Sequence, residues 1–174
     1  NVLSLDKVAT LTTKSKAYNK VTLTWSGVDG ATGYRVYRST SKTRGFKKIK
    51  SITSSSKVTY TNSNIACGTT YYYKVRAYRL VDGNYYFGAY SPVVSAKAKP
   101  AAPASFKVKK STRTKVNISW KAVTGASGYR IYRSTSKTSG FSRIKTVKSG
   151  ASTSYVKKTT RKKTYYYKMR AYTT

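Results

Sequence analysis

Asp6, Asp29 and Asp82 are the only carboxylates of this 174-residue chain, and it has no histidine. General acid–base catalysis needs two titratable groups held across one substrate, and no pair is placed for it: one aspartate falls in the leading segment, one in a loop and one in a hairpin turn. Cys67 and the many serines and threonines lack a histidine to activate them. A Ser–Lys dyad is the one nucleophile arrangement that the composition leaves open. Zinc wants clustered His and Cys, and calcium wants several carboxylates, so no metal site or cofactor is expected. Cys67 is the sole cysteine and forms no intrachain disulfide; it reads as a small apolar loop residue, with intermolecular pairing as the alternative.

What the residue inventory does offer is positive charge. Lys and Arg number 36 against 3 Asp and Glu, a formal +33. Such a chain repels itself and seeks polyanions. The expected partner is therefore an anionic polymer: teichoic acid, a sulphated glycan or DNA. Two groups of cations are candidates for the contact. If Tyr71, Tyr73, Val75 and Ala77 face a core, strand alternation turns Tyr72, Lys74, Arg76 and Tyr78 outward, with Arg35 and Tyr37 beside them on the neighbouring strand. The same pattern recurs as Arg130, Tyr132, Tyr166, Lys168, Arg170 and Tyr172. The expectation is a flat, basic, tyrosine-studded face that stacks sugars or bases and pairs with acidic groups. The structural alternative is that tyrosines and long cations on adjacent strands form ladders that only stabilise the sheet. The second group is Lys157, Lys158, Arg161, Lys162 and Lys163, read as a basic loop before the last long strand, where phosphate or sulphate could be gripped.

The elements that must position these residues come in two copies. Val21–Phe46 reads VTLTWSGVDGATGYRVYRSTSKTRGF and Val116–Phe141 reads VNISWKAVTGASGYRIYRSTSKTSGF. Trp25 and Trp120, Tyr34 and Tyr129, and Phe46 and Phe141 are each 95 positions apart. A fixed period means one structural unit repeated in tandem. The expected division is a first domain over 1–99, a Pro-Ala linker over 100–103 and a second domain over 104–174. Each copy alternates apolar and polar residues, with Val21, Leu23 and Trp25 against Thr22 and Thr24. Strands are expected at Val8–Leu11, Val21–Trp25, from Tyr34, at Phe46–Ile52, Val58–Thr61 and Thr70–Arg79. The Asp82-Gly83-Asn84 turn should then return the chain along Tyr85–Ala96, with Pro92 marking an edge or a strand start. Helical periodicity is absent, so the fold class is all-β, a two-sheet sandwich made twice. No apolar run approaches the roughly 20 residues of a membrane span.

Trp25, Tyr34-x-Val36, then Ile65-x-x-Gly68-Thr69-x-Tyr71 leading to Val75-x-Ala77, resemble a fibronectin type III domain. The second copy matches through Trp120, Tyr129-x-Ile131 and Tyr165…Met169-x-Ala171. The runs GYRVYRSTSK and TYYYKVRAY are most similar to type III repeats of surface and secreted proteins of Gram-positive bacteria. The resemblance implies tandem immunoglobulin-like sandwiches without catalytic activity, outside the cell or on its wall, serving as part of a stalk or fibre. It also implies that Tyr71 and Tyr165 are tyrosine-corner residues, each hydroxyl bonded to backbone in the preceding loop. Thr159 stands where Ile65 anchors the first corner and Gly68 has no clean counterpart, so the second corner is expected to be looser.

Two other classes compete with a structural or adhesive module: accessory modules of a larger secreted enzyme, and a nucleic-acid-binding protein. The chain reads as a piece of a longer precursor. Copy two reaches Thr174 just where copy one begins its final hairpin. An unpaired long strand invites strand addition. Head-to-tail self-association, with Val2-Leu3-Ser4-Leu5 of one subunit completing the second copy of the next, is therefore an expectation to hold against the fold.

Overall fold

The computed structural model describes residues 4–174, all strand, turn and loop. The chain divides into two compact units, one ending at Ala98 and the other beginning at Lys99. In the first unit, β1 (Leu11–Ala17), β2 (Lys20–Trp25) and β5 (Thr59–Asn62) form one sheet in the order β1-β2-β5. The other sheet runs β4 (Lys47–Ile52), β3 (Gly33–Ser39), β6 (Thr70–Val81), β7 (Asn84–Phe87), with β8 (Val94–Lys97) also paired to β6. The second unit has one sheet of β9 (Lys107–Thr112), β10 (Lys115–Ser119) and β13 (Ser154–Lys158), in the order β9-β10-β13. Its other sheet runs β12 (Ser142–Val147), β11 (Gly128–Ser134), β14 (Tyr166–Tyr172). Each unit is a β-sandwich, and all pairings are antiparallel.

Alternation explains the core. Val21, Leu23 and Trp25 of β2 face Tyr34 and Val36 of β3 and Tyr73, Val75 and Ala77 of β6, and all are buried. Trp25 meets Tyr34 edge-on, with ring centroids 5.5 Å apart. The Tyr34 hydroxyl accepts the Val28 N–H at 3.1 Å and donates to the Ser55 carbonyl at 3.2 Å. The second unit repeats this in detail. Trp120 and Tyr129 lie 5.2 Å apart, and the Tyr129 hydroxyl joins Val123 N–H at 2.9 Å to the Gly150 carbonyl at 2.8 Å. Each such tyrosine carries a buried ring and ties two loops with its polar tip.

Three expectations change. The first strand starts at Leu11, not Val8: Ser26 pins Thr10 through both its backbone N–H (3.2 Å) and its Oγ (3.1 Å), and ladder pairing begins only beyond that point. Val8 is buried there as loop. The return along Tyr85–Ala96 is broken into β7 and β8. Between them Gly88 and Ser91 hold β6 by separate bonds, to the Ala77 carbonyl at 3.1 Å and the Val75 carbonyl at 2.8 Å, and Pro92 has no N–H to offer. Lys157 and Lys158 are strand, at the end of β13, not loop.

The tyrosine corner is present. The Tyr71 hydroxyl accepts the Ala66 N–H at 3.4 Å, with Ile65 buried beneath it. Five residues before Tyr165, Thr160 hydrogen-bonds its phenol and, with Arg133 and Lys163 nearby, holds its pKa below the usual tyrosine range. Thr159 is only half-buried. The left-handed position of Gly68 (φ 80°) is taken by Lys162 (φ 57°), a conformation that a side chain disfavours.

The second core is more open. Fifteen buried residues form the first core and four form the second, because Tyr167, Met169 and Ala171 of β14 are only half-buried where Tyr73, Val75 and Ala77 are sealed. Trp120→Ala should remove about 3–5 kcal/mol, enough to unfold that unit. Urea denaturation followed by Trp25 fluorescence should still show an intact first transition; a folded second unit that had lost only ligand binding would contradict a core role for Trp120.

Candidate binding face

The outward residues of the β3–β6 and β11–β14 pairs occupy the same register in both units. Arg35 lies opposite Arg76 and Tyr37 opposite Lys74; Arg130 lies opposite Arg170 and Tyr132 opposite Lys168. Tyr72 and Tyr166 sit opposite Ser39 and Ser134. Each unit thus places two arginines directly across from one another, an arrangement that is repulsive unless something intervenes.

In the first unit aromatic rings intervene. The Arg35 guanidinium lies 4.5 Å from both the Tyr85 and the Phe87 ring centroids. The Arg76 guanidinium lies 3.8 Å from Phe87 and 4.9 Å from Tyr90, and donates to the Tyr37 hydroxyl from Nε (3.2 Å) and Nη2 (2.9 Å). Lys74 Nζ sits 3.6 Å from Tyr90 and 4.6 Å from Phe46. β7 and the loop before β8 fold these rings over the sheet, so cations and aromatics alternate along it. Arg38 stacks on the corner tyrosine Tyr71 at 4.7 Å.

The same covering corrects the exposure expected for two tyrosines. Tyr78 is 3% exposed. Its ring crosses Gly33, where a Cβ would come within 2.8 Å of the phenol oxygen, and its hydroxyl donates to the Ile52 carbonyl at 3.2 Å. Tyr37 is 9% exposed, under Tyr90 at 5.3 Å. Both point to the outer face as alternation requires, but neither is free to stack on a ligand. Burial, with each neighbouring phenol adding to it, raises the pKa of Tyr78 and of Tyr90.

The second unit carries the same strands, with fewer rings beside their cations among the described residues. Among the described residues Arg130 has one ring, Tyr172 at 5.0 Å, and Arg170 has one, Tyr132 at 5.4 Å. Lys168 lies 4.0 Å from Phe141. Lys168 and Arg170 are exposed where Lys74 and Arg76 are half-buried. Arg130 Nε is buried without an acceptor, as is its counterpart Arg35 Nε in the first unit. Tyr172 repeats the Tyr78 position across Gly128, its hydroxyl 3.5 Å from the Val147 carbonyl, and is half-buried.

The second predicted cluster does not form one surface. Lys157 shares the inward face of β13 with Tyr155 and is half-buried; Lys158 alternates to the other side with exposed Val156. Arg161, Lys162 and Lys163 are exposed in the turn that follows. Sequence alternation found the charged strand faces. It missed Phe87, Tyr85 and Tyr90 as their covers, although the alternating aromatics after the Asp82–Gly83 turn were the available signal. Among the described residues no group of three His, Cys, Asp or Glu side chains comes together. Cys67 is half-buried, its Sγ 3.5 Å from the Ala98 carbonyl.

Two stability tests separate the faces. Arg76→Ala should cost the first unit about 1–2 kcal/mol and Arg170→Ala the second about 0.5 kcal/mol, read by chemical denaturation. Equal costs would contradict the difference in covering. For Tyr78 and Tyr90 the folded pKa lies above the unfolded value of about 10, so the neutral phenol stabilises the fold in full below that pH. That stability is lost as pH rises beyond it. Tyrosinate absorbance should rise in two phases, exposed phenols first and the buried Tyr78 with unfolding of the first unit.

No family model matches the sequence. The chain is 33% identical over 146 residues to Exoglucanase B of Cellulomonas fimi, a match over 72% of this chain and 12% of that enzyme's length. Among solved structures, a two-domain fibronectin type III segment of chicken tenascin overlays on 95% of this chain and 90% of its own, with a TM-score of 0.60 at 13% identity. A segment of chicken CNTN1 covering domains FN1 to FN3 matches 95% of this chain and 61% of its own, at 18% identity and a TM-score of 0.45. With its two sandwiches, Trp–Tyr cores and tyrosine corners, the chain has the fold of tandem fibronectin type III domains.

Proposed function

We propose that this chain is a non-catalytic pair of accessory modules in a larger secreted protein, and that its second unit adheres to anionic polymer through the outward β11–β14 face. The observation that carries the binding reading is the Arg130–Arg170 pair. Two guanidiniums stand opposite one another on adjacent strands, and Arg170 is exposed. A sulphate, phosphate or carboxylate placed between them relieves the repulsion and accepts charge-assisted hydrogen bonds. The first unit meets the same repulsion with its own Phe87, so its face serves as framework. The net charge of +33 adds long-range attraction.

The accessory reading is supported by the match to a stretch that makes up 12% of an exoglucanase, the share a small ancillary module occupies in a large enzyme. A module of that kind spaces or anchors a catalytic domain outside the cell, and a basic face holds it to an acidic surface. In this setting a stalk and a tether are the same device. The nucleic-acid alternative uses the same cations and differs only in the polymer.

Heparin and duplex DNA, titrated onto the full chain, test both points. Affinity for heparin should fall at least about tenfold between 50 and 200 mM salt, because each neutralised anion releases counterions. Arg130→Ala with Arg170→Ala should weaken binding at least about tenfold, while Lys74→Ala with Arg76→Ala should leave it nearly unchanged. A flat salt response, or equal losses from the two pairs, contradicts the proposal. A clear preference for DNA over heparin would favour the nucleic-acid reading.

A further inference from the structure

The rings that cover the outer sheet of the first unit are themselves partly bare. Tyr85 is 48% exposed and Tyr90 37%, and Leu80, paired with Tyr85 across the β6–β7 hairpin, is 41% exposed. Large apolar groups gathered at a surface mark interaction sites. A continuous run of contacts joins the two rings. Tyr85 stacks on Phe87 at 6.1 Å, with the planes 10° apart, and Phe87 lies 3.8 Å from the Arg76 guanidinium. That guanidinium lies 4.9 Å from Tyr90, Tyr90 lies 3.6 Å from Lys74 Nζ, and Lys74 Nζ lies 4.6 Å from Phe46. From Lys74 to Leu80 along β6 the run spans about 20 Å.

Both exposed rings sit on pinned backbone. Tyr90 lies between Gly88, whose N–H bonds the Ala77 carbonyl, and Ser91, whose N–H bonds the Val75 carbonyl and whose Oγ accepts the Val75 N–H at 3.1 Å. The hairpin that carries Tyr85 is tied to the loop before β3: Arg79 Nε donates to the Gly30 carbonyl at 2.7 Å, and the Leu80 N–H donates to the Thr32 hydroxyl at 3.0 Å. Rings held in place before a ligand arrives lose little freedom when it binds. Lys74 and Arg76 are half-buried between the rings, and none of the six members of the run is acidic. The surface therefore offers flat apolar groups with positive charge set between them.

We propose that this run is a stacking platform for single-stranded nucleic acid. Bases lie on Tyr85 and Tyr90, and the phosphates between them pair with Arg76 and Lys74. The polymer alternates a flat ring with an anion, and the run complements it in both shape and charge. A duplex hides its base faces in its own stack and offers only phosphates. A neutral polysaccharide has apolar faces to stack but no anion for the cations. The platform belongs to the first unit and does not rest on the anion site proposed at Arg130 and Arg170.

The test uses the full chain at moderate salt, where net charge is screened, and three probes: a short bromodeoxyuridine oligonucleotide, the same strand annealed to its complement, and cellohexaose. The single strand should bind at least about tenfold more tightly than the duplex. Ultraviolet cross-linking of the bound strand should map to Tyr85 or Tyr90. Tyr85→Ala with Tyr90→Ala should bring the single strand down to the duplex value, whereas Tyr85→Phe with Tyr90→Phe, which keeps both rings, should retain the preference. Equal affinity for strand and duplex, or cross-links confined to the second unit, would overturn the platform whether or not the alanine variant folds. Cellohexaose held by these rings more tightly than the single strand would make the face a sugar platform and defeat the proposal. Arg130→Ala with Arg170→Ala should leave the preference for the single strand in place, so this proposal and the heparin reading fail separately.

Discussion

The antiparallel pairing of β3 with β6, and of β11 with β14, is the constraint on which both faces of each unit depend. One register sends Tyr34, Val36, Tyr73 and Val75 inward and sets Arg35 against Arg76 outside. The identical register in the second unit sets Arg130 against Arg170. A strand pair cannot bury four apolar residues on one side without fixing what stands opposite on the other. The like-charge pair is thus a consequence of the same alternation that builds the core, and each unit must deal with it. The first does so with Phe87, Tyr85 and Tyr90. Among the described residues the second has only Tyr172 and Tyr132 beside these guanidiniums.

That difference turns two near-identical strand pairs into different objects. In the first unit the cations are structural: sandwiched between rings, half-buried, and tied to the Tyr37 hydroxyl. In the second, exposed Lys168 and Arg170 keep their donors available to solvent. Of the alternatives weighed from residue types alone, the rings packed on Arg35, Lys74 and Arg76 are those of a self-stabilising ladder, and a binding platform in the second copy is our proposal. The same segment, residues 84–98, both covers the first unit's outer face and closes its core.

Much of this was legible in the residues. The 95-residue period gave the tandem units, and alternation around Trp25 and Trp120 gave the core strands. The Tyr71 corner followed from its resemblance to a known pattern. Boundaries were less legible where side chains replace ladder bonds, as at Thr10 with Ser26 and at Ser91 with Val75. Tyr37 and Tyr78 were misjudged because alternation states which way a residue points, not what lies over it. Their covers arrive from up to 53 positions away in sequence, Tyr37 to Tyr90, and only the folded chain brings them together. The left-handed Lys162 was hidden for the converse reason: glycine advertises such a position and lysine does not.

The central claim is that anionic polymer meets the second unit's outward face and not positive charge in general. Lysine acetylation of the full chain, mapped residue by residue with and without heparin at moderate salt, tests it most directly. Protection concentrated at Lys168, with Lys74 unchanged, is the result this account predicts. Protection spread evenly over exposed lysines of both units, such as Lys14, Lys47 and Lys168 alike, would show that net charge alone does the binding.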